Sequence, residues 1–196
     1  MRHLLVFAVI VLAATACGSR SSSKDTAVEE YAVFSALLET SWQFGRGAPV
    51  KRVVVSDRTA VRGSQEEFGR MLDYAAKQTP AITSEMSADM RSRNAQPRAI
   101  DSRLRFSFDY VLLNQQERSK FSPGVREQSC ADAFQAKYGD SYGVATFSRP
   151  GFNKARDKAV IYFETSSCGV GAGFVVLMAK TGGDWKVKER TLVWFQ

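Results

Sequence analysis

Residues 166–176, SSCGVGAGFVV, combine a cysteine with three glycines and are the first place to look for chemistry. A phosphate-binding loop would carry a lysine and a hydroxyl after its glycines, at the start of a helix. Here the glycines lead into Phe174 and two valines, and no lysine follows before Lys180. A nucleophilic Cys168 would need a base or a helix N-terminus to stabilise its thiolate. The stretch therefore predicts a strand with one bare glycine face.

The chain contains a single histidine, His3, close to its start. Ser-His-Asp triads and Cys-His pairs need an imidazole base, and the common zinc sites also use histidine. The sequence therefore disfavours these catalytic classes and predicts no metal and no cofactor. Pairs of carboxylates could still hydrolyse glycosidic bonds. The acids that we considered for this chemistry show no diagnostic spacing: Asp57, Asp109, Asp132, Asp140 and Glu164.

Basic residues exceed acidic ones, 27 to 20, which gives a formal net charge of +7. The excess is concentrated in residues 91–105, RSRNAQPRAIDSRLR, where Asp101 is the only acid. Near an anionic surface each such residue contributes about 1 kcal/mol of binding free energy. One interpretation is a solvated basic surface. The other is contact with anionic headgroups or cell-wall polymer through Arg91, Arg93, Arg98, Arg103 and Arg105.

The N-terminus has the layout of an export signal, with Arg2 before the apolar residues 4–14, a run too short to span a membrane. The following ATAC ends at Cys17 and resembles the lipobox of bacterial lipoproteins, with Ala14 in place of the commoner leucine. The resemblance implies a signal peptide over residues 1–16, a lipidated Cys17 and a polar tether to residue 25. It also implies an anchor in the bacterial cell envelope, on the periplasmic side of the outer membrane if the host is Gram-negative. An ordinary secretory signal with an incidental cysteine is the alternative.

Two further cysteines, Cys130 and Cys168, accompany Cys17. In an exported chain an even pair favours a disulfide. Closing a loop of this length stabilises a fold by about 3–4 kcal/mol on the chain-entropy model. Two separate buried thiols are the alternative.

Residues 26–196 have the size of one domain. Helical periodicity and capping boxes predict a helix from Thr26, capped with Glu29, to about Trp42, and another after Ser64, capped with Glu67. Weaker patterns predict helices near 82–90 and over 131–138. Residues 104–113 fit a strand or a helix, and the polar residues that follow favour the helix.

Strand patterns begin with the valines of residues 50–55 and then dominate the C-terminal part of the chain. Four β-rich runs with tight turns between them, 142–149, 158–166, 170–180 and 185–195, predict an antiparallel meander. The turn TGGD is typical of a two-residue hairpin. Helices followed by a meander predict an α+β fold, with the N-terminal helices packed on one face of the C-terminal sheet. A curved NTF2-like or cystatin-like sheet suits this order by analogy.

The C-terminal part from Phe147 contains a GFN turn, a glycine-rich strand start and the pattern G-x-W-K-V. In these features it resembles poorly characterised exported bacterial proteins, which implies a shared fold and transfers no catalytic residue. The aromatic residues Trp185, Trp194 and Phe195 alternate with charged ones, which favours core positions over a sugar-stacking surface.

These patterns predict a lipid-anchored protein of the bacterial cell envelope that acts as a non-catalytic binding or assembly module. Its expected partners are the membrane and an envelope protein or anionic polymer, with no nucleic acid. A carboxylate-based hydrolase of envelope glycans is the alternative function. Two carboxyls in a cleft would favour the hydrolase, whereas an apolar cavity would favour ligand binding.

Overall fold

The computed structural model describes residues 23–41, 52–121, 128–139, 141 and 143–196. Within these ranges five helices and seven strands form an α+β fold, which confirms the predicted class. The helices are α1 (Ser23–Ser41), α2 (Gln65–Gln78), α3 (Ser84–Arg93), α4 (Gln115–Ser119) and α5 (Gln128–Tyr138). The strands are β1 (Arg52–Ser56), β2 (Asp109–Leu113), β3 (Val144–Phe147), β4 (Gly151–Phe152), β5 (Lys158–Ser167), β6 (Val170–Thr181) and β7 (Asp184–Phe195).

The strands form one open sheet in the order β2-β1-β3-β5-β6-β7, and the short β4 also pairs with β5. The predicted meander is present, since β5, β6 and β7 pair antiparallel in sequence. The sheet as a whole is mixed, because β1 runs parallel to both β2 and β3. Val53, Val54 and Val55 are fully buried. A continuous apolar run of this kind is typical of a strand that is covered on both faces.

Helices cover both faces of the sheet, so the prediction of helices on one face is wrong. Ala159, Ile161 and Phe163 of β5 pack in the cluster that contains α1. The alternate residues Val160 and Tyr162 pack against α2 and α3 on the opposite face. A third cluster, around α5, covers β1 and β3 on that same opposite face. The physical reason is the sequence of β5, KAVIYF, which is apolar on both sides.

Residues 109–113 form strand β2, so the prediction of a helix over 104–113 is wrong. The strand pairs in parallel with β1, from Arg52 opposite Asp109 to Ser56 opposite Leu113. Alternation of side chains was the correct signal here. The polar residues that favoured a helix belong to the separate helix α4, which begins after its N-cap Asn114.

The two predicted capping boxes have different outcomes. Ser64 and Glu67 form the reciprocal box at the start of α2 as predicted. The box at Thr26 is wrong, because α1 already begins at Ser23. Thr26 Oγ1 instead accepts a hydrogen bond from Arg156, 3.1 Å away, and Glu29 pairs with Lys180 at 2.6 Å.

Two hairpin turns and a disulfide close the C-terminal part of the sheet. Gly182 and Gly183 have φ values of +64° and +94°, as the TGGD turn requires. Cys168 and Gly169 form a similar turn with φ values of +49° and +83°. Cys168 is bonded to Cys130, with a Cα–Cα distance of 5.7 Å, which confirms the predicted disulfide. Over the described ranges no helix is long and apolar enough to cross a membrane.

Candidate functional site

A chain of polar side chains lies on the sheet face that carries α2 and α3. Trp194 Nε1 donates a hydrogen bond to the Tyr162 hydroxyl at 2.7 Å, and this hydroxyl donates to Glu164 Oε2 at 2.5 Å. Arg118 Nη2 donates to the other carboxylate oxygen, Glu164 Oε1, at 3.1 Å. We call these four residues the Tyr162 network. Both oxygens of Glu164 therefore accept a hydrogen bond, and the Tyr162 hydroxyl acts both as donor and as acceptor.

The strand β5 brings Tyr162 and Glu164 onto one face because they are two residues apart. Tyr162 is fully buried and Glu164 is 6% exposed. A buried carboxylate is tolerated when hydrogen bonds and an opposite charge compensate for its lost hydration. Burial, followed by the charge of Glu164, raises the pKa of Tyr162 well above its ordinary value. The phenol therefore stays protonated and remains a donor to Glu164.

The helix α4 supplies Arg118, and the disulfide holds the chain next to that helix. Phe121, two residues beyond the end of α4, accepts a backbone hydrogen bond from Cys168 at 3.0 Å. The sulfur of Cys130 lies 3.8 Å from the carbonyl oxygen of Lys120. The disulfide thus contributes indirectly to the position of the arginine that compensates Glu164.

Trp194 lies across Gly173, its neighbour on β6, and fills the glycine face that the sequence left open. A Cβ atom at residue 173 would lie 2.0 Å from the indole Nε1. Glycine is therefore required at this position so that the ring can approach the backbone. Within residues 166–176, Gly173 therefore accommodates Trp194, whereas Gly171 lies against Thr165 and Ser166 of β5.

Beside Trp194 a cleft with a volume of about 390 Å³ opens between α2, β7 and the loop before α2. Its lining combines apolar and charged side chains: Arg62, Gly63, Glu67, Arg70, Met71, Tyr74, Val193 and Trp194. We call it the Trp194 cleft. Arg62 Cζ lies 3.9 Å from the centre of the indole ring, in a cation–π contact. The Tyr162 network holds the indole in place through its N–H, so Trp194 forms a fixed aromatic wall of the cleft.

The carboxylate in the cleft, Glu67, acts as a helix cap. Glu67 Oε2 accepts a hydrogen bond from the backbone N–H of Ser64 at 2.7 Å. This backbone bond, with that from the Ser64 side chain, lowers the pKa of Glu67. Glu67 is therefore held as an ionised acceptor at the N-terminus of α2, where the helix dipole also favours a negative charge.

The structure does not gather the five predicted arginines into one site. Arg93 and Arg98 bind Glu30 of α1, which is 1% exposed, and Arg98 Nη1 lies 2.6 Å from Glu30 Oε2. Arg149 binds the same carboxylate, with Nε 2.8 Å from Oε1. We call these four residues the Glu30 cluster. Sequence analysis missed it, because a run of arginines does not reveal which of them have a buried partner.

The other three predicted arginines lie at the surface with their own internal partners. Arg91 binds Asp73 and Arg103 binds Asp101, the second pair at 2.8 Å. The Arg103 guanidinium lowers the pKa of Asp101 to about 2. Arg105 donates to the carbonyl oxygens of Ser102 and Leu104. Contact of these arginines with an anionic surface stays a prediction.

The candidate acids of the hydrolase hypothesis are spread over several elements. Asp57 follows β1, Asp109 begins β2 and Asp132 lies on α5, and none of these three is buried. Of the four candidate acids that the structure describes, Glu164 is the buried one. Asp140 and the predicted lipidation site, Cys17, lie outside the described residues. No group of three or more His, Cys, Asp or Glu that could hold a metal occurs in the described part of the chain.

The aromatic residues near the C-terminus divide between core and surface. Trp185 is 6% exposed and belongs to the core as predicted, whereas Phe195 is 80% exposed, so its predicted core position is wrong. Trp194 is partly buried and forms the wall of the cleft. The signal that could have identified it is the glycine at 173, which marks a close approach to the strand.

The chain matches no protein-family model. No curated protein and no solved structure is significantly similar to it. A functional assignment for this chain therefore depends on the geometry of its own residues.

Proposed function

We propose that this chain is a lipid-anchored protein of the bacterial cell envelope whose α+β domain binds a ligand in the Trp194 cleft without transforming it. The lipobox-like ATAC ending at Cys17 and the polar residues that follow support the anchor. The observation that carries the binding function is the cleft itself, a concave site with a fixed aromatic wall.

The use of the polar groups near the cleft supports binding over catalysis. The hydroxyl of Tyr162 and both oxygens of Glu164 are engaged in holding Trp194 and Arg118. Glu67 is engaged in capping α2, and its lowered pKa is opposite to what a general acid needs. The alternative proposal, a glycan hydrolase, needs two carboxyls on either side of one bond. Neither Glu67 nor Glu164 is free for that task in this arrangement.

The anchor is tested by expressing the full chain and its Cys17→Ser variant in a bacterium. We expect the parent chain in the membrane fraction with a mass increased by acyl groups. The variant should lack the acyl mass and leave that fraction, because several acyl chains are needed for firm anchoring. A variant with unchanged mass and membrane association would contradict the anchor.

Binding without turnover is tested by incubating the full chain with purified cell-wall glycan and measuring newly released reducing ends. We expect no release above the protein-free control over hours of incubation. Release that disappears in a Glu164→Gln variant would overturn the binding function in favour of the hydrolase. Asp132→Asn, an exposed site on α5, serves as the matched control.

A further inference from the structure

We infer that the Trp194 cleft binds an amphipathic anion, a ligand with a flat apolar body and one carboxylate, sulfonate or phosphate group. This inference deepens the proposed binding function and rests on it. It is carried by the arrangement of one apolar wall and one cation without a carboxylate partner in the same cleft.

The apolar part of the ligand is specified by the apolar side chains of the cleft. Met71 and Tyr74 of α2 face Val193 and Trp194 of β7 across it. Tyr74 is 50% exposed. A volume of about 390 Å³ lies in the range of small-molecule sites. A flat body can therefore lie beside the indole, against Met71 and Val193, and cover the exposed tyrosine.

The anionic group of the ligand is specified by Arg62. Among the described residues no carboxylate lies within ion-pair distance of its guanidinium, which donates a long hydrogen bond of 3.4 Å to Gln196 Oε1. Guanidinium binds carboxylate and phosphate groups through two parallel hydrogen bonds. An anion on Arg62 would lie beside the indole that the guanidinium already covers. Charge and apolar surface are thus within the reach of one small ligand.

The second guanidinium of the cleft, Arg70, can add to this recognition. Its ion pair with Glu66 is exposed on both sides, with 63% and 83% of the two side chains accessible. Exposed pairs of this kind are weak, so Arg70 can turn to an anion at little cost. Glu67 points to the backbone of Ser64. Besides the hydrogen bonds from Ser64, the charges of Arg70 and Arg62 both contribute to lowering the pKa of Glu67, so both guanidinium groups lie near this carboxylate.

The experiment compares two fluorescent probes that share their rings and differ in charge. Anilinonaphthalene sulfonate carries the anion, and N-phenylnaphthylamine is its neutral counterpart. The protein is the full chain carrying Cys17→Ser, so that no detergent competes for the probes. We expect the anionic probe to bind more tightly, and Arg62→Ala to weaken it about tenfold or more. Binding of the neutral probe should change less than twofold.

Two further variants keep the test decisive. Lys77→Ala removes a positive charge from the exposed end of the same helix and should leave both affinities unchanged. Arg62→Lys keeps the charge but not the paired hydrogen bonds, and should lose a smaller part of the anion affinity. The melting temperatures of the Arg62 variants show whether each of them is folded.

The inference is overturned if Arg62→Ala leaves the anionic probe unaffected, if both probes weaken equally, or if neither probe binds. None of these outcomes changes the expected result of the reducing-end assay, which measures turnover. Failure of the anion inference is therefore distinguishable from failure of the binding function, which would show as turnover that depends on Glu164.

Discussion

Two glutamates are buried in the described part of this protein, and their surroundings differ. Glu30, on α1, is 1% exposed and is bound by three arginines. Glu164, on β5, is 6% exposed and is bound by one arginine and one tyrosine hydroxyl. Excess opposite charge compensates the first carboxylate, whereas a chain of hydrogen bonds compensates the second. The comparison indicates that the Glu30 cluster ties elements together and that the Tyr162 network supports a surface site.

The Glu30 cluster joins parts of the molecule that lie on opposite faces of the sheet. Glu30 belongs to α1 on one face, and Arg93 ends α3 on the other. Asn94 adds to the connection, because its Oδ1 accepts from the backbone N–H of Arg149 at 2.7 Å and its Nδ2 donates to the carbonyl of Arg149 at 2.8 Å. All of these groups bind one another, and none of them lines the Trp194 cleft.

The largest effect is expected for Glu30→Gln. The change leaves three guanidinium groups, all less than 40% exposed, around a neutral side chain. Removing one partner from a buried ionic group costs about 3–5 kcal/mol of unfolding free energy. Urea denaturation would measure the loss, with Glu85→Gln on the exposed side of α3 as a control within about 0.5 kcal/mol. A loss below 1 kcal/mol would contradict the structural role of the cluster.

The second-largest loss of stability is expected when the disulfide is removed. The removal should affect the region around Glu164 more than the region around Glu30. The bridge closes a loop with a sequence separation of 38 residues. Its loss in a Cys130→Ser, Cys168→Ser variant should cost about 3–4 kcal/mol on the chain-entropy model. Because the chain beside Cys168 positions α4, amide hydrogen exchange should also rise around Arg118. Equal increases around Arg118 and Arg93 would show that the two regions are not independent.

Sequence predicted the features of this fold that depend on neighbouring residues. The box of Ser64 and Glu67 spans four residues, and the turn at Gly182 and Gly183 needs only its own backbone. The disulfide was predictable because Cys130 and Cys168 allow only one pairing once Cys17 is assigned to lipidation. In contrast, the use of β2 as a strand depended on a parallel partner, β1, more than fifty residues earlier, so local periodicity could not decide it.

Both glutamate sites escaped prediction for a similar physical reason. Glu30 and Arg149 are 119 residues apart, and Arg118 and Glu164 are 46 apart. A sequence shows that arginines are present but not which of them the topology brings to a buried acid. The glycine at 173 did signal a close approach, without naming Trp194 as the group that makes it.

A smaller effect is expected for Tyr162→Phe, which breaks the network below the cleft. The change leaves Trp194 Nε1 and Glu164 Oε2 without their partner, which costs about 1–3 kcal/mol of unfolding free energy. Tyr110→Phe on β2, a tyrosine outside the cleft, is the control. Since Trp194 loses its fixed position, affinity for the anionic probe should fall as well. Lost stability with unchanged probe affinity would separate the network from the cleft.

The same residue predicts the response of stability to alkaline pH. Burial raises the pKa of Tyr162 above the value of 10.0 that applies to the unfolded chain. The folded state therefore retains a proton that the unfolded state releases, so stability is fully present below pH 10 and falls as pH rises beyond it. Tyr162→Phe should show a shallower fall than the parent chain in urea denaturation between pH 9 and 11. Identical slopes would contradict a buried, protonated phenol.

The smallest effect on stability is expected for the surface arginines of residues 91–105, and it completes the comparison within one segment. Arg93 and Arg98 belong to the Glu30 cluster, whereas Arg91 and Arg103 pair with exposed carboxylates and Arg105 donates to backbone carbonyls. Replacing these three by alanine should cost about 1 kcal/mol or less of unfolding free energy, because exposed pairs contribute little.

If the segment contacts anionic headgroups, the same variant, with Cys17→Ser, should sediment less with anionic vesicles at low salt. About 1 kcal/mol of binding free energy is expected per arginine, and alanines at Lys77, Lys186 and Lys188 are the charge-matched control. Vesicle binding equal to that of the Cys17→Ser parent would show that the exposed arginines form a solvated surface, and that the function of this segment lies in the two arginines that reach Glu30.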